Sequence, residues 1–298
     1  MPAKVAINGF GRIGRNILRA IIESGRKDLE VVAINDLGST EVNAHLFEFD
    51  SVHGKFAGDI KTTKDSIIIE GMEIKVTSIK QPAALPWENI DIAMECTGIF
   101  NDREKAASHL KNGSSRVLIS APAKNADNTI VYGVNHQTLT KNDIVVSNAS
   151  CTTNCLSPVV KVLHEKVGIR RGFMTTIHSY TGDQPVLDTM HDDLYRARAA
   201  NLSMIPTTTG AAKAIGLVLP ELEGKLDGFA VRVPTPNVSV VDLTFEALRE
   251  TSSIEINEEI HKAASTNLRG ILGYTDKKLV SSDFNHDTRS SIFAADQT

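Results

Sequence analysis

The fold is decided by Lys4-Val5-Ala6-Ile7-Asn8-Gly9-Phe10-Gly11-Arg12-Ile13-Gly14, in which an apolar strand runs directly into a glycine turn. Apolar residues then recur at helical spacing, which predicts a helix after the turn. A second apolar strand at 29–34 is followed by Asp36, 22 residues after the last glycine of the motif. This order of strand, glycine turn, helix, strand and acid is typical of a dinucleotide-binding unit.

Each part of this motif has a physical role toward a dinucleotide. The glycines Gly9, Gly11 and Gly14 allow a tight turn and a close approach of the backbone to a pyrophosphate, and the helix N-terminus stabilises its charge. Asp36 would accept hydrogen bonds from ribose hydroxyls and repel a 2′-phosphate, which favours NAD over NADP. The alternative is a glycine-rich turn that binds no ligand.

A second informative segment joins a strand at 144–146 to a helix that begins near a cysteine. Ser150 is a good N-cap, which places Cys151 in the first helical turn. Unpaired backbone N–H groups and the helix dipole favour a thiolate there, and a thiolate is the nucleophilic form of cysteine. The alternative is a structural cysteine, which is our expectation for Cys96 and Cys155. A Cys-x3-Cys pair without other ligands predicts no metal site.

The rest of the chain predicts a second domain. A strand at 172–179 contains His178, which matters chemically only if it faces the cysteine. A long connection at 182–204 follows, and then a predicted helix start with Thr209 as its cap. Strands at 228–234 and 238–245 without a helix between them predict a mostly antiparallel sheet, and Arg232 in the first of them needs an anion or a carboxylate.

Composition and charge limit the class of protein. The chain has 298 residues and a formal charge of −4, so it suggests two domains and gives no basic bias toward nucleic acid or membranes. We divide it into a Rossmann-type NAD-binding domain at 1–149 and an α+β catalytic domain at 150–298, an α/β protein overall. Three cysteines, with neither a signal peptide nor a membrane-spanning apolar run, predict a cytoplasmic protein.

Four blocks of sequence resemble the phosphorylating glyceraldehyde-3-phosphate dehydrogenase family of bacterial type, in family order and over essentially the whole chain. They are Ala6-Ile7-Asn8-Gly9-Phe10-Gly11-Arg12-Ile13-Gly14-Arg15, Ala149-Ser150-Cys151-Thr152-Thr153-Asn154-Cys155, Thr207-Thr208-Thr209-Gly210-Ala211-Ala212-Lys213-Ala214 and Arg232-Val233-Pro234-Thr235-Pro236-Asn237-Val238-Ser239. The resemblance implies oxidation of glyceraldehyde 3-phosphate by NAD, with inorganic phosphate as second substrate, to give 1,3-bisphosphoglycerate.

The resemblance also implies residue roles. Cys151 would form a thiohemiacetal and then a thioester, and His178 would activate the thiol and act as base. The residues implied around the two phosphate sites and the substrate are Ser150, Thr152, Thr181, Arg196, Thr209, Gly210 and Arg232. Those implied at NAD, besides the glycines, are Arg12, Ile13, Asp36, Lys80 and Ser120. A homotetramer is expected, with the 182–204 loop near its interfaces.

Two alternatives accompany this interpretation. Erythrose-4-phosphate dehydrogenase shares the fold and most of the motifs. The sequence also stops at Thr298, whereas the family continues through a further segment with an asparagine at nicotinamide and a long helix, so we expect a C-terminally truncated member. A catalytically impaired dinucleotide-binding or assembly protein is the alternative that this expectation raises.

Overall fold

The chain folds into two units. The computed structural model describes Met1–Thr298 and divides into a first unit of residues 1–129 and 139–149 and a second unit of residues 130–138 and 150–298. Residues 130–138 therefore group with the second unit, although they precede the end of the first in the sequence.

A nine-stranded sheet forms the first unit. Its spatial order is β10-β11-β9-β8-β1-β2-β7-β6-β5, and only the two pairings at the β5 end are antiparallel. The strands of this unit are β1 (Ala3–Asn8), β2 (Leu29–Asn35), β3 (Phe49–Asp50), β4 (Gly54–Lys55), β5 (Ile60–Thr62), β6 (Ser66–Ile69), β7 (Met72–Thr77), β8 (Ile90–Glu95), β9 (Ser114–Ile119), β10 (Asn128–Thr129) and β11 (Val145–Ser147). Strands β3 and β4 form a separate small hairpin.

The glycine turn lies where the order of the strands changes direction. Strand β1 pairs in parallel with β2 on one side and with β8 on the other, so its carboxyl end is a topological switch point. Helix α1 (Arg12–Glu23) follows the turn, as predicted, and α2 (Thr40–Glu48) and α3 (Arg103–Ala106) complete the helices of this unit. Buried Ile7, Phe10 and Phe47 belong to the core beneath them.

A mixed four-stranded sheet forms the centre of the second unit, in the order β13-β14-β12-β15. Two of its pairings are antiparallel, but the central pair β12 and β14 is parallel. The elements of this unit are α4 (Cys151–Val167), β12 (Ile169–Ser179), β13 (Ile205–Thr208), α5 (Ile215–Val218), β14 (Leu226–Val233), β15 (Val240–Ala247), α6 (Ser253–Ser265), β16 (Leu272–Thr275) and β17 (Ser291–Ala294). Strands β14 and β15 follow each other in sequence, yet they flank β12 and do not pair together.

One predicted element is wrong. Thr209 does not cap a helix, because residues 205–208 form the edge strand β13 and only one helical turn, α5, follows at 215. The β-branched threonines before Thr209 favour extended backbone, and pairing with β14 satisfies it. The Thr209 hydroxyl instead accepts from the Ala211 N–H at 3.1 Å, which closes a local turn.

Strand β12 separates two different surfaces. Met174, Thr176 and His178 are buried on one face, whereas Phe173 and Ile177 are exposed on the other. The loop 182–204 contains no helix or strand, as the sequence predicts. Helices of the length and apolar character needed to cross a bilayer are absent.

Candidate active site

The junction before α4 holds Cys151 in a strained setting. Ala149 is buried and has a φ of 57°, a left-handed conformation that is uncommon for a residue with a Cβ. Ser150 then caps the helix as predicted, because its Oγ accepts from the Thr153 N–H at 3.0 Å. Cys151 is therefore the first residue of the helix, where the backbone dipole favours negative charge.

Cys151 faces His178 at hydrogen-bond distance. Its Sγ lies 3.2 Å from the Nε2 of the imidazole, and the cysteine is exposed whereas the histidine is buried. Surrounding protein alone would raise the pKa of the Cys151 thiol, but the hydrogen bond and charge of His178, with smaller help from Thr152, lower the pKa below its usual value. The two side chains form a reactive thiol and an adjacent base.

The other imidazole nitrogen is held by a backbone carbonyl. His178 Nδ1 lies 2.7 Å from the oxygen of Ser179. Because a carbonyl can only accept, this contact favours the tautomer with its proton on Nδ1, which leaves the Nε2 lone pair facing Cys151. Arg232 Nη1 donates to the same oxygen at 2.9 Å. It also lies 2.7 Å from Nδ1, but in this tautomer both nitrogens carry a proton, so that approach is one of two donors sharing the Ser179 oxygen and not a hydrogen bond.

Two arginines provide positive charge near the cysteine. Burial lowers the pKa of Arg232, the negative charge of Cys151 raises it, and the charge of Arg196 lowers it again. The Nε of Arg232 is buried without a hydrogen-bond partner, which is costly for a charged donor unless an anion occupies the position. Arg196 donates to Thr207 Oγ1 at 3.0 Å and to Asp183 at 3.1 Å.

Of the other predicted residues of this unit, Thr152, Thr209 and Gly210 are tied to the same helix, whereas Thr181 lies on the chain that follows β12. Thr152 is buried in the first turn of α4, and Thr181 is exposed just beyond the end of β12. Thr153 Oγ1 donates to the Ala211 carbonyl at 3.3 Å, which brings the turn that carries Thr209 and Gly210 beside α4. The remaining cysteines differ from Cys151, because burial raises the pKa of Cys155 and raises that of Cys96 to about 12.

The three glycines of the turn between β1 and α1 have different surroundings. A Cβ at Gly9 would lie 2.7 Å from the backbone nitrogen of Thr97, and one at Gly14 would lie 2.2 Å from the Gly9 oxygen. A Cβ at Gly11 would meet nothing within 4 Å. Gly9 and Gly14 are thus required by packing, whereas Gly11 borders open space where a pyrophosphate could approach the backbone.

The start of α1 is open to an anion. Gly11 is its N-cap, no side chain caps the helix, and its first turn contains no acidic residue. Asp36 stands beside the turn and accepts from the Phe10 N–H at 2.8 Å and the Gly38 N–H at 3.0 Å, which leaves lone pairs on both oxygens for ribose hydroxyls. These features fit a dinucleotide.

The remaining predicted cofactor residues of this unit are mostly exposed. Ile13 and Lys80 are exposed, Ser120 is half-buried after β9, and Arg12 is exposed and forms an ion pair with Asp50. The structure thus puts each of these residues on a loop or a first helical turn that follows a parallel strand.

A buried carboxylate at the same sheet edge was missed from the sequence. Glu95 is buried at the end of β8 and accepts from Asn8 Nδ2 at 2.6 Å, from the Thr97 N–H at 2.9 Å and from the Thr97 hydroxyl. His109 Nε2 lies 2.9 Å from Glu95 Oε2, the oxygen that also accepts from Asn8, and the single tryptophan, Trp87, stacks on this imidazole. Glu95 therefore ties β1 and β8 together next to Gly9.

Asn35 extends this arrangement to β2 and β7. Its Nδ2 donates to Asn8 Oδ1 at 2.8 Å, and its Oδ1 accepts from the Ile79 N–H at 2.9 Å. We call Glu95, Asn8, Thr97, His109 and Asn35 the carboxylate network. Asn8 and Asn35 directly precede Gly9 and Asp36, and the Asn35 side chain holds the backbone of Ile79 next to Lys80, so the network helps to fix the spacing of these predicted cofactor residues.

Comparison with known proteins decides the family. Residues 3–103 match the family described as glyceraldehyde 3-phosphate dehydrogenase, NAD binding domain, and residues 150–298 match its C-terminal domain. Together these two matches cover most of the chain. The chain belongs to the glyceraldehyde-3-phosphate dehydrogenase family.

Individual relatives agree with this assignment. The chain is 68% identical to glyceraldehyde-3-phosphate dehydrogenase of Cereibacter sphaeroides over 298 residues, which are 100% of this chain and 90% of that protein. The enzyme of Xanthobacter flavus is also 68% identical, and that of Pseudomonas aeruginosa is 57% identical, with the same coverage. The predicted fold, the NAD-dependent dehydrogenase class and NAD as the cofactor are therefore confirmed.

Proposed function

We propose that this member of the glyceraldehyde-3-phosphate dehydrogenase family oxidises D-glyceraldehyde 3-phosphate and phosphorylates it to 1,3-bisphosphoglycerate. The observation that carries the proposal is the 3.2 Å contact between Cys151 Sγ and His178 Nε2 at the start of α4. It unites a nucleophile, a base and a helix N-terminus in a chain that also has an NAD-binding domain. The division at 1–149 and 150–298 is part of this proposal.

The first step forms a bond between sulfur and the aldehyde carbon. His178 Nε2 takes the thiol proton, and the thiolate attacks C1. The carbonyl π bond breaks, and the oxygen takes this proton back from His178 to become the hydroxyl of a thiohemiacetal, so Nε2 is again free to act as a base. The lowered pKa of Cys151 increases the fraction of thiolate at neutral pH.

The second step oxidises the carbon. Bound NAD would supply the acceptor for a hydride from C1. His178 removes the hydroxyl proton as the hydride leaves, and the carbonyl of a thioester forms on Cys151. Ser179 stabilises the resulting imidazolium, because its carbonyl accepts from Nδ1. The thioester keeps the oxidation energy available for transfer to phosphate.

The third step transfers the acyl group to inorganic phosphate. A phosphate oxygen attacks the thioester carbon, the carbon–sulfur bond breaks, and the thiolate leaves as the acyl phosphate forms. The orphaned Nε of Arg232, the guanidinium of Arg196 and the hydroxyl of Thr181 suit a substrate phosphate. Other hydroxyls and N–H groups suit the second anion and the substrate, and they come from Ser150, Thr152, Thr209 and Gly210.

We also assign NAD to the turn between β1 and α1. Gly9, Gly11, Arg12, Ile13 and Gly14 would border the pyrophosphate, and the lone pairs of Asp36 would accept from ribose hydroxyls. Lys80 and Ser120, on neighbouring loops, complete the proposed set. A reactive thiol of this kind needs a reducing compartment, which supports a cytoplasmic location.

Self-association into a homotetramer completes the proposal. Large apolar side chains of the 182–204 loop are strongly exposed, among them Leu194 at 82% and Met190 at 97%. The outer face of the second sheet adds Phe173, Ile177 and Phe229. Apolar surface of this extent is typical of an interface, and further copies of the same chain are the expected occupants. Light scattering measures the assembly mass directly.

The experiment follows NADH absorbance with glyceraldehyde 3-phosphate, with and without inorganic phosphate. We expect sustained turnover only with phosphate, and none after Cys151→Ser, because serine lacks an accessible anionic form. Cys155→Ser is the matched control, since it removes a thiol from the same helix and should keep turnover. Normal turnover of Cys151→Ser would contradict the proposal. A higher specificity constant for erythrose 4-phosphate would instead support the alternative dehydrogenase.

A further inference from the structure

The hydrogen-bonded ladder between β12 and β15 ends before it reaches Ser179, the residue next to His178. Residues pair in antiparallel register down to Ile177 opposite Val240. Continuing this register by two residues would set Ser179 opposite Val238, where the two backbones would exchange N–H and C=O hydrogen bonds. That pair does not form, because β15 begins only at Val240.

Val238 leaves the strand conformation at this point. Its φ is 65°, in the left-handed region, which is unusual for a β-branched side chain. Strained backbone of this kind persists only where surrounding contacts enforce it, and it is concentrated at functional sites. The break therefore needs a structural reason, and the partners of Ser179 supply one.

A side chain replaces the missing backbone acceptor. The N–H of Ser179 donates to Ser239 Oγ at 3.1 Å, and the two serine hydroxyls lie 3.3 Å apart. Ser239 is half-buried and stands between the left-handed residue and the first residue of β15. The backbone at Ser179 is thus held in place although the ladder has ended.

The carbonyl of Ser179 is thereby released for other donors. In a continued ladder, its oxygen would accept from the N–H of Val238. Here it lies 2.7 Å from His178 Nδ1 and accepts from Arg232 Nη1 at 2.9 Å. One backbone oxygen thus orients both the imidazole that faces Cys151 and the half-buried Arg232 side chain.

We propose that the ladder break at Val238 and the hydroxyl of Ser239 position the Ser179 carbonyl, and through it the imidazole of His178, for proton exchange with Cys151. Val238 and Ser239 are positioning residues, because neither contacts the sulfur. The inference rests on the proposed function, in which Cys151 and His178 act as nucleophile and base.

The proposal predicts a pH-dependent effect. The charged and titratable groups that face His178 are Cys151 from α4 and Arg232 from β14, while Asp183 and Arg196 act on Arg232. A carbonyl that holds Nδ1–H stabilises the imidazolium, which in turn stabilises the thiolate. Loosening Ser179 should therefore shift thiolate formation to higher pH.

The experiment measures alkylation of Cys151 by iodoacetamide as a function of pH, with thiolate absorbance near 240 nm as a second readout. For Ser239→Ala we expect alkylation at neutral pH to slow by about threefold to tenfold, the effect of one lost hydrogen bond. The midpoint of the pH profile should move upward. Ser239→Thr keeps the hydroxyl and should restore the wild-type profile.

Two further variants separate positioning from folding. Ser252→Ala removes a hydroxyl that accepts a backbone N–H at the start of α6, so it controls for lost stability and should leave the midpoint unchanged. Val238→Gly keeps the left-handed backbone without a β-branched side chain and should also keep the wild-type profile.

The outcomes distinguish this inference from the proposed function. A wild-type profile in Ser239→Ala, alongside a shifted profile in His178→Asn, would overturn the positioning role alone. If His178→Asn also keeps the wild-type profile, the thiol and imidazole do not act as a pair, and both proposals fail.

Discussion

Two regions hold polar side chains in opposite ways. The carboxylate network of the first unit surrounds Glu95 and His109, whose side chains are completely buried, with donors from three strands and their loops. The Ser179 corner, by which we mean Ser179, His178, Arg232 and Ser239, depends on one carbonyl and one serine hydroxyl. Only His178 of this corner is buried.

This difference in burial and in the number of hydrogen-bond partners predicts how each region responds to mutation. A fully buried carboxylate with several donors contributes to the stability of the fold, because its donors would otherwise be left unsatisfied. A half-buried carbonyl can exchange a lost donor for water, so it stabilises little but decides where the imidazole points. Substitutions in the carboxylate network should therefore reduce the free energy of unfolding, whereas substitutions in the Ser179 corner should slow the reactions of Cys151.

The largest expected effect is on rate, after His178→Asn. Loss of the base should slow thioester formation by about 10²-fold to 10⁴-fold, the usual contribution of general acid–base catalysis. Rapid mixing with NAD and glyceraldehyde 3-phosphate, without inorganic phosphate, isolates this step as a burst of NADH. Wild-type burst kinetics in His178→Asn would contradict the role of His178 as the base in thioester formation.

His261→Asn is the control for this measurement. His261 is exposed on α6, where its ring contacts Tyr274, so its loss should leave the burst unchanged. Unfolding by urea, measured on both variants, should show a smaller loss of stability for His178→Asn than for a change in the carboxylate network.

The next expected effect is on stability, after Glu95→Ala. This change leaves Asn8 Nδ2, the Thr97 N–H and the His109 imidazole without their acceptor in a site that water cannot reach. We expect a loss of about 3–5 kcal/mol in the free energy of unfolding, as for other broken buried pairs. Urea titration followed by Trp87 fluorescence measures it, because Trp87 is the only tryptophan and stacks on His109.

Asp28→Ala provides the comparison for the network. Asp28 forms a solvent-exposed ion pair with Arg26, so its removal should change stability far less. The alkylation rate of Cys151 in folded Glu95→Ala should equal that of wild type. Equal destabilisation by the two substitutions would show that the network does not contribute as its burial implies.

The sequence predicts those features of the fold that depend on residues close together in the chain, such as helices, strands and helix caps. The β1–turn–α1–β2 order and the Ser150 cap of α4 are specified by local periodicity and capping chemistry. The family resemblance supplied the catalytic pair, whose members are 27 residues apart and have no local signal for their contact.

The rest depends on contacts between distant segments. Glu95 ends strand β8, but its partners Asn8 and His109 are 87 and 14 residues away, and nothing in the sequence pattern indicates that a carboxylate is buried there. Val238 has a high intrinsic strand propensity, so only the tertiary register reveals that it leaves the strand. The edge strand β13 was predicted as a helix start because capping residues also occur in turns.

The smallest expected effect tests whether a local cap can serve both stability and chemistry. Ser150→Ala removes the acceptor for the Thr153 N–H and should cost about 1 kcal/mol of stability, a typical value for a lost N-cap. Ser39→Ala is its match in the first unit, because Ser39 Oγ accepts from the Val42 N–H at the start of α2. Urea titration should give similar losses for both variants.

Only the Ser150 cap precedes a reactive thiol, so the two variants should differ in the alkylation rate of Cys151. An uncapped first turn frays, so the N–H groups around Cys151 stabilise its thiolate less and alkylation at neutral pH should slow in Ser150→Ala. Ser150→Thr keeps the capping hydroxyl and should restore both stability and rate. If Ser39→Ala slows alkylation as much as Ser150→Ala does, the effect comes from general destabilisation, and the division between a stability region and a rate region is wrong.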